Sequence, residues 1–148
     1  MCLPRSQRKI PQNRGKMILV LPIYYTQEFK TKKDKTFLVG MNWYRNAHYL
    51  AETRVKKHYY RLISEQIEAY KSGIIEKGTR YRVEYKIHYK NKVSDGMNIL
   101  SIIDKYLNDA LQSEGVIKND NVQYYTSGSW EVAGQDKENP RIEIEVML

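Results

Sequence analysis

Three aspartates and one lysine in the second half of the chain have the types and spacing that phosphodiester chemistry uses. Asp95 stands between a strand pattern and a helix pattern, and Asp120 follows that helix. Lys105 and Asp109 lie within the helix, about one turn apart. Carboxylates on rigid elements bind Mg²⁺ through oxygen and leave positions for water and phosphate. A neighbouring lysine can stabilise the negative charge that develops during cleavage.

The helix pattern spans residues 97–113 and separates a polar line from an apolar stripe. At about 100° per residue, Asn98, Lys105 and Asp109 fall within about 20° of one line, and the stripe is centred about 120° away. Gly115 is the expected C′ residue that ends the helix. The apolar stripe consists of Ile99, Ile102, Ile103, Tyr106, Leu107, Ala110 and Leu111.

The segments around this helix predict the elements that must position it. Residues 81–90 and 141–148 alternate apolar and polar side chains, as half-buried strands do. A second helix is predicted from an N-cap at Asn46 to about residue 71, before Gly73. The weaker strand candidates are residues 17–24, residues 36–39, and residues 122–132, which are interrupted at Gly128. In the first of these, Pro22 suggests a sheet edge or the end of the strand.

The order of these elements, β(β)-α-β-α-β-β, predicts an α/β (α+β) fold with a mixed sheet and two main helices. The 148 residues fit a single domain, and a hydrophobic content of 41% suffices for a core. We expect a flexible basic arm over residues 1–16 and one folded domain over residues 17–148. A single cysteine, Cys2, excludes a disulfide framework and a multi-cysteine zinc site.

Charge is distributed unevenly along the chain. Residues 1–94 hold 21 basic and 7 acidic side chains, whereas residues 95–148 hold 4 basic and 10 acidic ones. A net charge of +14 in the first part predicts a polyanionic partner such as DNA, although solvated faces alone can also produce such an asymmetry. The candidate phosphate contacts are Lys30, Lys32 and Lys33 in an exposed loop, and Arg54, Lys57 and Arg61 on one helix face.

Neither a membrane span nor a secretory signal is predicted. The longest apolar run, residues 17–25, is too short to cross a bilayer, and the basic N-terminus lacks an apolar stretch that ends in a cleavage site. We therefore expect a cytoplasmic protein.

Each acidic candidate also has a purely structural interpretation. Asp95 can serve as a helix N-cap, which stabilises by about 1 kcal/mol. Lys105 and Asp109 can form an i, i+4 pair that contributes about 0.2–0.5 kcal/mol. Asp120 lies in a run of asparagine and aspartate residues that is typical of turns. The case for a site depends on the group and not on any single residue.

Three short segments resemble the RusA family of Holliday-junction resolvases, and look most like its phage and prophage branch. They are Asp95-Gly-Met-Asn98, Asp104-Lys105-Tyr-Leu-Asn-Asp109-Ala-Leu111 and Gly115-Val-Ile-Lys-Asn119-Asp120-Asn-Val122. The resemblance implies a RusA-like fold and a Mg²⁺-dependent endonuclease, with Mn²⁺ as an alternative metal, that resolves four-way junctions in DNA recombination and repair. It also implies a homodimer in the cytoplasm of a bacterial host.

The same resemblance implies roles for individual residues. Asp95 and Asp120 correspond to metal ligands of the catalytic site, and Lys105 corresponds to the helix lysine that the family uses in catalysis. Met97 and Asn119 stand where the family has further acids. Asp109 is then the candidate for a third metal-binding carboxylate, and Asn98 for an additional amide oxygen near the metal.

Two other functions fit the same residues. A non-catalytic basic DNA-binding module would bind DNA without Mg²⁺-dependent nicking, with Asp95 as a cap and Asp120 in a turn. A structural protein whose acidic part docks onto the basic part of a second copy would self-associate tightly and bind DNA weakly.

Overall fold

Alternating burial along the strands shows that one face of the main sheet is covered and the other is open to solvent. The computed structural model describes residues 15–70, 80–91 and 95–148. Along Tyr81–Tyr89, every second side chain is buried for most of the strand, and Arg141–Met147 repeats this pattern. In chain order the elements are β1 (Lys16–Pro22), β2 (Tyr24–Gln27), β3 (Lys35–Leu38), α1 (Met41–Asn46), α2 (Tyr49–Glu68), β4 (Tyr81–Tyr89), α3 (Gly96–Ser113), β5 (Tyr125–Gln135) and β6 (Arg141–Met147).

The main sheet has four strands in the order β1-β6-β4-β5. β4 and β5 are parallel and are joined through α3, whereas β6 runs antiparallel to both β1 and β4. A parallel pair requires a crossover connection, and α3 provides it. The short strands β2 and β3 form a separate antiparallel hairpin.

The core lies between this sheet and the helices α2 and α3. On α2, the buried side chains are Val55, Tyr59, Ile63 and Ile67, which recur at helical spacing. The inward residues of β4 alternate with exposed ones, so the sheet and the helices share one apolar layer. The predicted α/β domain with a mixed sheet and two main helices is confirmed.

The outer edge of β1 is covered by Gln66 of α2 and by Tyr70, two residues past the end of that helix. The Gln66 amide accepts a hydrogen bond from the Val20 backbone N–H and donates one to the Val20 carbonyl, both at 2.8 Å. The Tyr70 hydroxyl contacts the N–H and carbonyl of Ile18 at 3.2 and 3.3 Å. A covered edge cannot recruit a foreign strand. Pro22 is the last residue of β1, so the prediction of an edge position is confirmed.

Two predicted features differ in detail, and two others lie outside the described residues. Asn46 is the last residue of the short helix α1 and does not cap α2, because extended backbone at Ala47 separates the two helices. The cap of α2 is His48, whose Nδ1 accepts from the Leu50 N–H at 3.2 Å. β5 continues through Gly128, which pairs with Val83. The expected helix end at Gly73 and the arm up to residue 14 lie outside the described residues.

No helix within the described ranges is both long enough and apolar enough to cross a membrane.

Replacing Gln66 by leucine should remove both hydrogen bonds to Val20 and uncover the β1 edge. The free energy of unfolding, measured in urea, should fall by about 1 kcal/mol, because the freed groups are only partly buried. Glu65→Ala, an exposed change on the same helix turn, is the control and should be neutral. Equal stability of both variants would show that Gln66 does not hold the edge.

Candidate functional site

Asp95 is the N-cap of α3. Its Oδ1 accepts hydrogen bonds from the backbone N–H groups of Met97 at 3.0 Å and Asn98 at 3.3 Å. These bonds satisfy two of the donors that a helix leaves open at its start. The side chain is exposed, and within the described residues its Oδ2 accepts no hydrogen bond. Asp95 therefore stabilises the helix with one oxygen and presents the other to solvent.

Asn98 connects α3 to α1. Its Oδ1 accepts a hydrogen bond from the Asn42 N–H in the first turn of α1, at 2.9 Å. Gly40 makes this approach possible, because a Cβ there would lie 2.6 Å from the Asn98 side-chain nitrogen. α1 has no side-chain cap of its own, so the Asn98 amide serves as one from a neighbouring helix.

Lys105 contacts the same short helix. Its ammonium donates to the Tyr44 hydroxyl at 2.8 Å and lies 4.8 Å from the centroid of that ring. The hydrogen bond to Tyr44 raises the pKa of Lys105, with smaller contributions from Glu52 and Asp109, and burial opposes them. The ammonium is therefore positively charged near neutral pH.

Asp109 pairs across helices. Its Oδ2 lies 3.3 Å from the Lys56 ammonium of α2, and both side chains are more than one third exposed. Such partly exposed pairs contribute up to about 1 kcal/mol. The predicted polar line on α3 is thus real, and its members contact α1 and α2.

Asp120 lies at the opposite end of α3 from Asp95. It is exposed in the turn after the helix, where Asn119 Oδ1 accepts from the Asn121 N–H at 3.1 Å. Burial raises the pKa of Tyr81, and the nearby Asp120 carboxylate raises it further. The Tyr81 hydroxyl donates to Asn108 near the C-terminal end of α3, which places Asp120 in that region.

The structure does not gather the three predicted metal ligands within one chain. Asp109 follows Asp95 by fourteen residues on α3, about 21 Å along the helix axis. Across residues 15–70, 80–91 and 95–148 there is no group of three or more acidic, histidine or cysteine side chains that could hold a metal ion. A Mg²⁺ site built from Asp95, Asp109 and Asp120 of a single copy does not fit this geometry.

A different carboxylate, Asp104, occupies the centre of a polar network. Its Oδ1 accepts hydrogen bonds from the hydroxyls of Tyr85 and, at 2.9 Å, Tyr125. Burial raises the pKa of Tyr85 well above its ordinary value, and the adjacent Asp104 carboxylate adds to this effect. These tyrosines therefore stay protonated and act as donors.

Asp104 is not among the predicted site residues. The sequence does contain a signal for it, because β4 turns tyrosines toward the core and a buried phenol needs a hydrogen-bond partner. The polar side chains of α3, which faces β4, are the groups that can supply this hydrogen-bond partner.

The six predicted DNA contacts lie on two elements that touch each other. Lys30, Lys32 and Lys33 are exposed in the loop of the β2–β3 hairpin, and Arg54, Lys57 and Arg61 are exposed on α2. The hairpin meets α2 where the Tyr25 ring lies 5.1 Å from the His58 ring. Within the described part of the chain, none of the six forms an ion pair with an acid.

Half-buried aromatic rings connect this basic surface to α1. Phe37 of the hairpin stacks on Trp43 with ring centroids 5.2 Å apart, and it also contacts Tyr25. Burial lowers the pKa of His58, and the charge of Arg61 lowers it further, so this imidazole adds little charge at neutral pH. The positive charge of the surface thus comes from lysines and arginines.

Comparison of the chain with family models and with curated proteins found no match.

Replacing Asp95 by alanine should destabilise α3 by about 1 kcal/mol, because two backbone donors lose their acceptor. Asp95→Asn should keep nearly full stability, since asparagine caps equally well. Thermal unfolding of both variants provides the measurement. A stability loss of the same size in Asp95→Asn would mean that the charge, and not the cap, stabilises the helix.

Proposed function

We propose that this protein binds branched DNA and cuts four-way junctions as a Mg²⁺-dependent endonuclease. The observation that carries the binding part is the basic surface formed by the β2–β3 loop and α2. Its side chains are exposed and have no acidic partners among the described residues. They are therefore free to displace counterions from DNA phosphates, which is the main source of affinity for DNA.

The spacing on α2 suits a phosphate backbone. Arg54 and Arg61 are seven residues apart, about 10 Å along the helix, with Lys57 between them. Three base-pair steps of DNA rise by about 10 Å. The hairpin loop supplies three further exposed lysines, on an element that contacts α2 through Tyr25 and His58.

The catalytic part of the proposal rests on the resemblance over residues 95–122. Asp95 and Asp120 are both exposed, but they lie at opposite ends of α3 in one copy. In a two-fold dimer, the two copies of α3 can run antiparallel, which would bring the Asp95 end of one copy toward the Asp120 end of its partner.

A non-catalytic DNA-binding module is the alternative. The observation that favours it is the structural use of the polar residues on α3. Asp95 caps the helix, Asn98 holds α1, and Asp109 pairs with Lys56. Under this alternative, the protein binds a junction with or without Mg²⁺ and leaves its strands intact.

Nicking of a synthetic four-way junction with and without Mg²⁺ distinguishes the two functions. We expect Mg²⁺-dependent nicking by the native chain, and its loss with retained junction binding in both Asp95→Asn and Asp120→Asn. Full nicking activity in both variants would show that neither aspartate belongs to the catalytic site. Binding without nicking by the native chain, in Mg²⁺ or Mn²⁺, would establish the alternative.

Mixing the two inactive variants tests whether the site spans two copies. A dimer with one copy of each variant would contain one site with both aspartates and one with neither, so nicking of one strand should return. A site formed within one chain would stay inactive in every mixture. The unmixed variants, refolded in the same way, are the control.

If the basic surface binds DNA, substitutions on α2 should weaken junction binding, and a control substitution on the open face of the sheet should not. Replacing Arg54, Lys57 and Arg61 together by glutamine should weaken junction binding severalfold or more and should reduce its salt dependence by up to about three ions. Lys86→Gln is the control, because Lys86 lies on the open face of the sheet, away from α2. Equal salt dependence of native and triple-variant protein would show that DNA binds elsewhere.

A further inference from the structure

A cavity of about 380 Å³ lies between α3 and the edge strand β5, and the proposed endonuclease chemistry does not use it. It is on a different side of α3 from α1, which contacts Asn98 and Lys105. A volume of this size is within the range of small-molecule sites. Its lining includes Tyr85, Met97, Asp104, Tyr125 and Trp130.

A carboxylate oxygen is available inside this cavity. Asp104 Oδ1 accepts from two tyrosine hydroxyls, whereas Oδ2 accepts no hydrogen bond from the described residues. Oδ2 is not among the buried atoms that lack a partner, so it is accessible to solvent, and Asp104 is one of the residues that line the cavity. The two phenols hold the carboxylate in place, and Oδ2 can accept a hydrogen bond from a ligand.

An indole ring forms a flat wall of the same cavity. Trp130 pairs in register with Tyr85, so its side chain is on the helix side of the sheet, yet it is 41% exposed. Its ring packs on Gly96, where a Cβ would lie 2.6 Å from a ring carbon. The missing side chain at Gly96 thus fixes the ring beside the first turn of α3. Met97, 52% exposed, adds apolar surface.

From this arrangement we propose that the cavity binds one unpaired nucleobase that carries an exocyclic amine. The base stacks on Trp130 and donates an amine hydrogen to Asp104 Oδ2. Aromatic stacking accepts any base, and the carboxylate adds selectivity because it can only accept. Adenine, cytosine and guanine each present an exocyclic amine. Thymine offers a ring N–H between two carbonyl oxygens, which a carboxylate repels.

The proposal rests on the proposed function in one respect, which is that the base belongs to bound DNA. Moving a base out of the stack costs least where the base is mismatched or already single-stranded, so branched DNA that contains such a base would present it at low cost. The cavity would therefore recognise a base near the branch, while the basic surface holds the phosphates.

Titration with free nucleosides tests the cavity without requiring DNA binding. Adenosine at millimolar concentration should shift the indole N–H NMR signal of Trp130 and leave that of Trp43, outside the cavity, unchanged. Thymidine should produce a severalfold smaller shift. Equal responses of both tryptophans, or none, would overturn the proposal. A Trp130 signal that moves only with protein concentration would assign the cavity to a second copy and would also overturn it.

Asp104→Asn gives a sharper test of the carboxylate. Asparagine keeps one oxygen for the tyrosine hydroxyls and presents a donor to the cavity, so the preference should change from adenosine to thymidine. An unchanged preference for adenosine would exclude Asp104 as the acceptor. If this variant does not fold, the substitution Trp130→Ala still tests the site.

Binding to a duplex with one unpaired adenine, compared with the fully paired duplex, tests the cavity on DNA. The native chain should prefer the bulged duplex by about tenfold, and Trp130→Ala should lose that preference without losing duplex binding. Val132→Ala is the control, because Val132 is exposed two residues further along β5 and does not line the cavity. Equal binding of both duplexes by native protein overturns the cavity proposal alone. Absence of all DNA binding, with an intact nucleoside response, overturns the proposed function and leaves a free nucleoside as the ligand.

Discussion

The burial of tyrosine hydroxyls against α3 is the constraint on which the rest of the structure depends. β4 turns Tyr81 and Tyr85 inward, and each ring carries a hydroxyl that needs a partner away from water. Asn108 and Asp104 on α3 accept these hydrogen bonds. The helix can satisfy both phenols only in one rotation about its axis. That rotation decides which side chains face α1 and α2 and which face the edge strand β5.

The polar residues of α3 that face α1 and α2 show why the sequence alone does not reveal their role. Asn98, Lys105 and Asp109 form the polar line that helical spacing predicts, and each one contacts a different partner on α1 or α2. A metal site that recruited Asp109 would have to exchange the Lys56 ion pair for a metal bond. Asp95 and Asp120 carry no such ion pair among the described residues, and both remain exposed at the two ends of the helix. Asp95 nevertheless gives one oxygen to the cap of α3, so Asp120 is the candidate acid with the fewest structural contacts.

Local patterns predicted most of the fold, and contacts between distant segments account for what they missed. The strict alternation of β4 and β6 and the apolar stripe of α3 specify elements that match the structure within a residue or so. The short helix α1 was missed because its first turn is capped by Asn98, fifty-six residues away in sequence. β5 was under-predicted because most of its residues are exposed at a sheet edge, and only its pairing with β4 makes it regular. For the site, residue type and spacing identified the polar line but carried no information on the distance between Asp95 and Asp120.

The first turn of α3 lies between α1 and the proposed base-binding cavity. Asn98 faces α1 on one side of this turn, and Met97 borders the cavity on the other. A helix is about 10 Å wide, so one DNA strand that crosses this turn could reach both α1 and the cavity. The open amides of a helix start normally attract phosphate, but here Asp95 occupies them and adds a negative charge. A phosphate at this crossing is therefore disfavoured unless a cation lies between the two anions. The lysines and arginines of the basic surface belong to the hairpin and α2, so they do not supply that positive charge at the first turn of α3. If DNA takes this path, a cation beside Asp95 would offset the repulsion between the carboxylate and the phosphate.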